Sequence, residues 1–314
     1  MKIINRYIVC IVIIVFSQVV SADQREREML DASVVGDNET INRLLDTGVS
    51  ADTKSKFGKS SMMFAAEAGN AEVVKRLIKS GANINARSLA GCTALTYAAE
   101  NGHLDIVNLL IDKGAISYAK TRAGWDALSI AIRQGHYDVV KSLIEHGANV
   151  NTSDKDGITA LMAAALANDL KSVLLLIRSD ADMHVRNKDG MSAMMLAACK
   201  GHTNVVDKLL KRNANINAVD NDGSTALFCA AENGHRLMIA LLLQYGANIN
   251  HKNKQGETAL FASVINRQAD ALRLLIERGA DASVKNAKGL TALDLAKKKR
   301  LKDILQLLQQ SNRG

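Results

Sequence analysis

The stretch Gly91-Cys92-Thr93-Ala94-Leu95-Thr96-Tyr97-Ala98-Ala99-Glu100-Asn101-Gly102-His103, continued by Leu104 to Gly114, decides the fold of this 314-residue chain. Thr93, two residues after the glycine, suits a helix N-cap, its hydroxyl accepting a backbone N–H. Leu95, Ala98 and Ala99 follow at i, i+3, i+4 spacing, an apolar stripe whose small alanines let a neighbouring backbone approach. Asn101-Gly102-His103 breaks the helix, because glycine readily takes the left-handed conformation at a helix C-terminus. A second helix then turns Ile106, Val107, Leu109 and Leu110 inward and ends at Gly114. Ile116 to Gly124 forms the link to the next unit, a β-type turn.

The same unit recurs outward from this stretch. Gly58, Gly91, Gly124, Gly157, Gly190, Gly223, Gly256 and Gly289 stand 33 residues apart without drift. Gly91-Cys92-Thr93-Ala94-Leu95 is echoed by Gly157-Ile158-Thr159-Ala160-Leu161 and Gly223-Ser224-Thr225-Ala226-Leu227. Gly81-Ala82-Asn83-Ile84-Asn85 is echoed by Gly147-Ala148-Asn149-Val150-Asn151 and Gly246-Ala247-Asn248-Ile249-Asn250. The pattern resembles the ankyrin repeat, a 33-residue turn followed by two antiparallel helices. The resemblance covers Asp23 to about Gln310. It implies an all-α ankyrin-repeat solenoid: a capping N-terminal unit, seven full repeats and a capping C-terminal unit. At about 10 Å between stacked helices, nine units predict a curved rod roughly 80–90 Å long. The domain is expected over 23–314, after a signal peptide at 1–22.

The departures from the family pattern carry expectations of their own. The family's Thr-Pro-Leu-His reads here as Thr-Ala-Leu followed by Thr96, Met162, Phe228 or Phe261, with Asp126-Ala127-Leu128-Ser129 and Ser192-Ala193-Met194-Met195 in two other repeats. The proline that pre-sets helical φ is gone, and so is the histidine that bonds the threonine. Individual repeats should therefore be less stable than the family consensus. Asn168 and Arg267 replace the inter-helix glycine, and Asp180 and Asn213 replace the second one. Asparagine and aspartate tolerate left-handed geometry; Arg267 is the poorer fit, so the unit around it should be the loosest.

Terminal repeats need a polar outer face. Gln24 to Arg27, with Met29-Leu30 and Val34-Val35, suit a first capping helix, and Ile41, Leu44 and Leu45 its second. At the other end Thr291 to Ala296 begins a cap whose last stripe is Leu301, Ile304, Leu305 and Leu308. Lys297-Lys298-Lys299-Arg300 between them reads as a solvated cap loop, since nuclear import conflicts with an export signal.

That signal is Lys2 and Arg6 as a basic n-region, Tyr7 to Phe16 as an apolar core, and Val20-Ser21-Ala22 as a cleavage site, so the mature chain begins near Asp23. The apolar run is short for a spanning helix, which takes about 20 residues. The competing reading is an uncleaved membrane anchor. Cleavage takes the net charge from +8 to about +6, and the interleaved acids argue against nucleic-acid binding. Three cysteines remain, Cys92, Cys199 and Cys229, in different repeat slots; they are expected as free thiols, with stacking alone holding the array. Proline is absent, so no slow X-Pro isomerisation enters folding.

Several motifs invite chemistry and are better explained otherwise. Thr53 to Ser60 resembles a phosphate loop, but such a loop needs glycine where Thr53 stands, and Gly58 belongs to the ladder. His103, His136, His202 and His235 recur because the repeat recurs and are expected to serve the inter-helix turn; no cysteine or carboxylate completes a metal set. Asn38-Glu39-Thr40 and Asn151-Thr152-Ser153 are glycosylation sequons. No nucleophile elbow or dinucleotide glycine pattern appears. The chain is expected to be a non-enzyme without cofactor or metal.

In ankyrin-like arrays the partner meets the concave face of turn tips and first helices. The residue after each turn glycine runs Lys59, Cys92, Trp125, Ile158, Met191, Ser224, Glu257, Leu290. Polar ends flank an apolar trio, Trp125, Ile158 and Met191, and the late first-helix slots add Arg133, Leu166 and Cys199. These six are the candidate protein-binding residues, with loss of partner capture expected on changing Trp125 and Met191 to alanine. A second series, Lys54, Arg87, Lys120, Arg186, Lys252 and Lys285, could form a basic rail. The reading is an exported, periplasmic or secreted, monomeric scaffold that binds a protein partner. The alternatives are an effector acting on a host protein and a membrane-anchored scaffold.

Overall fold

In a computed structural model, residues 23–311 are described; the signal segment at 1–22 lies outside them. The described residues hold eighteen helices, α1 (23–35) through α18 (Lys302–Ser311), and no strand beyond isolated bridges such as Lys54–Ser60. They pair into nine turn–helix–helix units, as the ladder predicts. The chain divides into two compact units, the first ending at Asn149 and the second starting at Val150.

Unit 1 holds α1 and α2 (Asn38–Asp46), α3 (Ser61–Ala68) and α4 (Ala71–Lys79), α5 (Ala94–Asn101) and α6 (Leu104–Asp112), and α7 (Ala127–Gln134) and α8 (Tyr137–Glu145). First helices α3, α5 and α7 pack in sequence, and so do second helices α2, α4, α6 and α8. Unit 2 repeats the arrangement from α9 (Ala160–Leu166) and α10 (Leu170–Arg178) to α17 (Ala292–Lys298) and α18. In each pair the alanines face inward: Ala98 and Ala99 are fully buried, as are Ala65 and Ala66 one repeat earlier. Of the second-helix set, Ile106, Val107 and Leu110 are buried, while Leu109 is only half-buried.

The first helices begin at the expected caps. The Thr93 hydroxyl accepts from the Thr96 amide, and the Thr96 hydroxyl accepts in return from the Thr93 amide at 2.8 Å. Asp126 and Ser129 do the same. Thr96 and Ser129 therefore complete a capping box in the slot where the family histidine is missing.

The second half-motif proves to be a clamp between repeats. The Asn85 amide oxygen accepts from the Ile116 amide at 2.9 Å, and its NH2 donates to the Gly114 carbonyl. Asn151 grips Asp182 and Asp180 in the same way in unit 2.

The histidines serve the turn, as expected. Nε2 of His103 and of His136 bonds the carbonyls of Glu67 and Glu100, the last turn of the preceding first helix. His202 and His235 repeat this with Leu166 and Cys199. A Cβ on Gly102 would sit 2.6 Å from the His136 ring, so glycine there is required twice over, by the ring and by φ +76°.

Three expectations are corrected. Cys199 and Cys229 form a disulfide with Cα atoms 5.0 Å apart, leaving Cys92 as the free thiol among the described residues. The two cysteines occupy different slots, yet late in α11 (Ala193–Cys199) and mid α13 (Ala226–Glu232) are neighbours once the helices stack. Val34 and Val35 point outward, and α1 instead buries Met29, Ala32 and Ser33. The basic rail is partly spent: Arg87 donates to the Lys120 carbonyl, and Arg186 to the carbonyls of Gly190 and Val219.

Candidate functional site

The turn tips are stiffened before any side chain is placed. The Leu89 amide donates to the Phe57 carbonyl at 3.0 Å, and the Arg122 amide to the Ala90 carbonyl at 2.8 Å. Within unit 2 the Lys188, Asn221, Lys254 and Ala287 amides make the same bond to the tip before. Inside each tip a side-chain oxygen holds the loop: Ser88 accepts from the Cys92 amide and Thr121 from the Trp125 amide.

Against these tips the first helices of unit 1 leave a trough of about 1280 Å³. Small-ligand pockets run to roughly 300–1,000 Å³, so this one is sized for a longer segment. One wall is the tips at residues 55–57, 88–92 and 121–125; the other is Phe64, Tyr97, Glu100, Ile130, Arg133 and Gln134 from α3, α5 and α7. Four of the chain's eleven aromatic residues meet here: Phe57, Phe64, Tyr97 and Trp125. Phe57 and Leu89 stand well exposed on the tips.

Cations roof the rings. The Lys59 ammonium lies 4.4 Å from the Phe64 centroid and 4.2 Å from that of Tyr97, and pairs with the Glu67 carboxylate. The Arg133 guanidinium lies 4.4 Å over Trp125, and Lys56 5.1 Å from Phe57. Such pairs contribute on the order of 0.5–1 kcal/mol each and fix both partners. Burial pushes the Tyr97 phenol above its usual pKa, reinforced by neighbouring Cys92, so Tyr97 is a neutral ring with a polar tip.

The structure thus brings together Trp125 and Arg133 of the six candidate residues. Ile158, Leu166 and Met191 are half-buried on the corresponding face of unit 2, and Cys199 is engaged in the disulfide. Phe64, Tyr97, Phe57 and Leu89 stand outside both candidate series, the slot after each glycine and the late first-helix slot. Their signal lies in other slots of the same ladder: six after the glycine for Phe64 and Tyr97, and one or two before it for Phe57 and Leu89.

Among the described residues no group of three or more His, Cys, Asp or Glu is placed to hold a metal ion. The phosphate-loop lookalike is also accounted for. Lys59 is half-buried against the Phe64 and Tyr97 rings, and Ser60 caps α3. No helix among the described residues is long and apolar enough to cross a membrane.

The sequence profile described as "Ankyrin repeats (3 copies)" matches residues 29–121, 116–187, 161–253 and 238–313. The chain belongs to the ankyrin-repeat family. Among solved structures, the crystal structure of the human ASB11 ankyrin repeat domain is similar at 28% identity and TM-score 0.64, over 70% of this chain and 98% of that one. No curated protein matches the sequence. Ankyrin repeats generally serve as protein–protein interaction scaffolds, and the fold is typically non-catalytic.

Proposed function

We propose that this chain is a non-catalytic scaffold that binds a protein partner through the concave face of turn tips and first helices, with the aromatic trough of unit 1 as the principal seat. The carrying observation is the gathering of Phe57, Phe64, Tyr97 and Trp125 on rigid tips and helices. Aromatic residues held in place by packing present large contact area at low entropic cost, which is how binding hot spots are built. Ile158, Leu166 and Met191 are the corresponding candidates within unit 2. The test is capture from the source extract by the full chain and by its Trp125→Ala variant. Capture should fall at least about thirtyfold for the variant, the cost of a hot-spot truncation, with helical circular dichroism unchanged. Undiminished capture by the variant overturns the assignment.

Export completes the reading. The Lys2/Arg6, Tyr7–Phe16 and Val20-Ser21-Ala22 pattern supports it. So does the Cys199–Cys229 bond, since disulfides persist in oxidising compartments and are rare in reducing ones. N-terminal sequencing of the mature protein should start near Asp23. An intact N-terminus in a membrane fraction would favour the anchored form instead.

A further inference from the structure

Resting on that reading, we propose that the occupant of the unit 1 trough is an acidic linear peptide segment carrying a large aliphatic or aromatic anchor. The charge of the lining is the first argument. Lys56, Lys59, Arg122 and Arg133 line the trough against a single acid, Glu100. Lys59 is neutralised by Glu67 beneath the rings, which leaves Lys56 and Arg122 as exposed cations on the tips. These two positions are two repeats apart, roughly 20 Å at helix-stacking distances of about 10 Å. An extended chain spans that in about six residues. The segment would therefore place carboxylates about six residues apart, with the anchor between them.

The anchor's place follows from the apolar lining. Leu89, Phe57, Trp125, Tyr97 and Ile130 give the trough its apolar lining, where the anchor would sit. The ring faces decide against nucleic acid, which also favours basic, aromatic grooves. Bases need open faces to stack on. Here Lys59, Arg133 and Lys56 each occupy a face of the rings they touch. A carboxylate-bearing peptide meets the same cations without needing those faces.

The experiment is selection of a random twelve-residue peptide display library on the full oxidised chain. Fluorescence anisotropy of the enriched peptides and alkylation of Cys92 by iodoacetamide follow. Cys92 lines the trough and is the free thiol among the described residues, so an occupant in this place slows its alkylation. Enriched peptides should be rich in Asp and Glu around a Leu, Ile, Phe or Trp. The Lys56→Glu/Arg122→Glu variant should weaken them about tenfold or more through like-charge repulsion, and Trp125→Ala by about thirtyfold. Neutral or basic peptides that still require Trp125 overturn the acidic preference while leaving the protein-binding trough standing. Peptides indifferent to both variants, or no enrichment, overturn both. Trp125-dependent binding of a thymidine twelve-mer, or a self-associated chain that Arg122→Glu dissociates, would replace the peptide with another occupant.

Discussion

The two compact units are built from one repeat but resolve its demands differently. In unit 1 every inter-helix and helix-ending turn carries glycine. The non-glycine residues with positive φ among the described residues, Asn168, Asp180, Asn213, Arg267 and Arg300, all fall in unit 2. The first-helix caps divide the same way. Ser60, Thr93 and Asp126 form reciprocal boxes in unit 1. In unit 2 Thr159, Ser192 and Thr225 accept without return and Thr258 makes no cap bond at all, the exception being Thr291, which closes a reciprocal box with Asp294 in the last unit. The tips differ as well: Lys56-Phe57, Leu89-Ala90 and Arg122-Ala123 in unit 1, against Lys155-Asp156, Lys188-Asp189 and Asn221-Asp222 in unit 2. Unit 1 combines a relaxed backbone with a sticky, basic face. Unit 2 has a costlier backbone, a solvated face and a cross-link. Preorganisation is placed where the aromatic rings are, and covalent bracing where local geometry is weakest.

The disulfide is where this comparison is most exposed to failure. A link between residues 30 apart in sequence removes about 3 to 4 kcal/mol of loop entropy from the unfolded chain. A left-handed non-glycine residue costs about 1–2 kcal/mol, less for Asn or Asp, so one bond offsets a few such positions. Serine at both Cys199 and Cys229 should lower stability by about that 3 to 4 kcal/mol in urea, read by circular dichroism. Trp125, the lone tryptophan, sits in unit 1, and its fluorescence midpoint should move less. If both midpoints drop equally, the two regions are one cooperative body and the division of labour is lost.

Turn chemistry comes next. Gly102→Ala forces a Cβ to within 2.6 Å of the His136 ring at φ +76°. It should destabilise unit 1 by about 2 kcal/mol, the left-handed penalty plus displacement of that ring. Arg267 already sits at φ 58°, and Arg267→Gly should stabilise unit 2 by about 1 kcal/mol. Denaturant midpoints check both. Equal and same-signed shifts would show that the five departures in unit 2 are free of strain.

Caps give a smaller effect of the same kind. Thr93→Val deletes a hydroxyl that bonds the Thr96 amide and should cost about 1 kcal/mol. The Thr258 hydroxyl is buried without a partner, so Thr258→Val should be neutral or slightly stabilising. A matched loss at both sites would erase the distinction between the units.

The glycine ladder made the nine units, the caps and the histidine role legible, because each rests on spacing along the chain. The left-handed departures at Asn168, Asp180, Asn213 and Arg267 were readable for the same reason. The disulfide was not. Cys199 and Cys229 become neighbours only when the angular position of each slot on stacked helices is considered, and sequence slots alone place them apart. The trough was half legible. Trp125 and Arg133 stood in the slots compared, whereas Phe64 and Tyr97 reach the same space from one helical turn further along. Lys59 looked like a polar end of the series, yet it folds beneath two rings. Polarity of a tip residue does not say which way its side chain runs.

Acid should separate the carboxylate-capped helices α2 and α17 from the glycine-closed turns of unit 1, and this is the gentlest test. Thr291 donates to the Asp294 carboxylate from its hydroxyl at 2.6 Å and from its amide at 3.0 Å, which holds that carboxylate's pKa below its ordinary value. Asp37, which caps α2, is lowered by the Thr40 amide first and the Thr40 side chain second. A carboxylate with a depressed folded pKa contributes stability that is complete above its unfolded value. That stability is lost as pH falls through the folded one. Asp37 is exposed and Asp294 only half-buried, so the loss is modest and confined to the region below about pH 4. Protection factors of the α2 and α17 amides should therefore fall as the pH drops below about 4, while the glycine-closed turns around Gly102 and Gly135, which hold no such carboxylate, keep their protection. Asp294→Asn should remove the pH dependence of α17 and leave that of α2 intact. Persistence of the acid response in α17 would mean that another group in the C-terminal cap controls it.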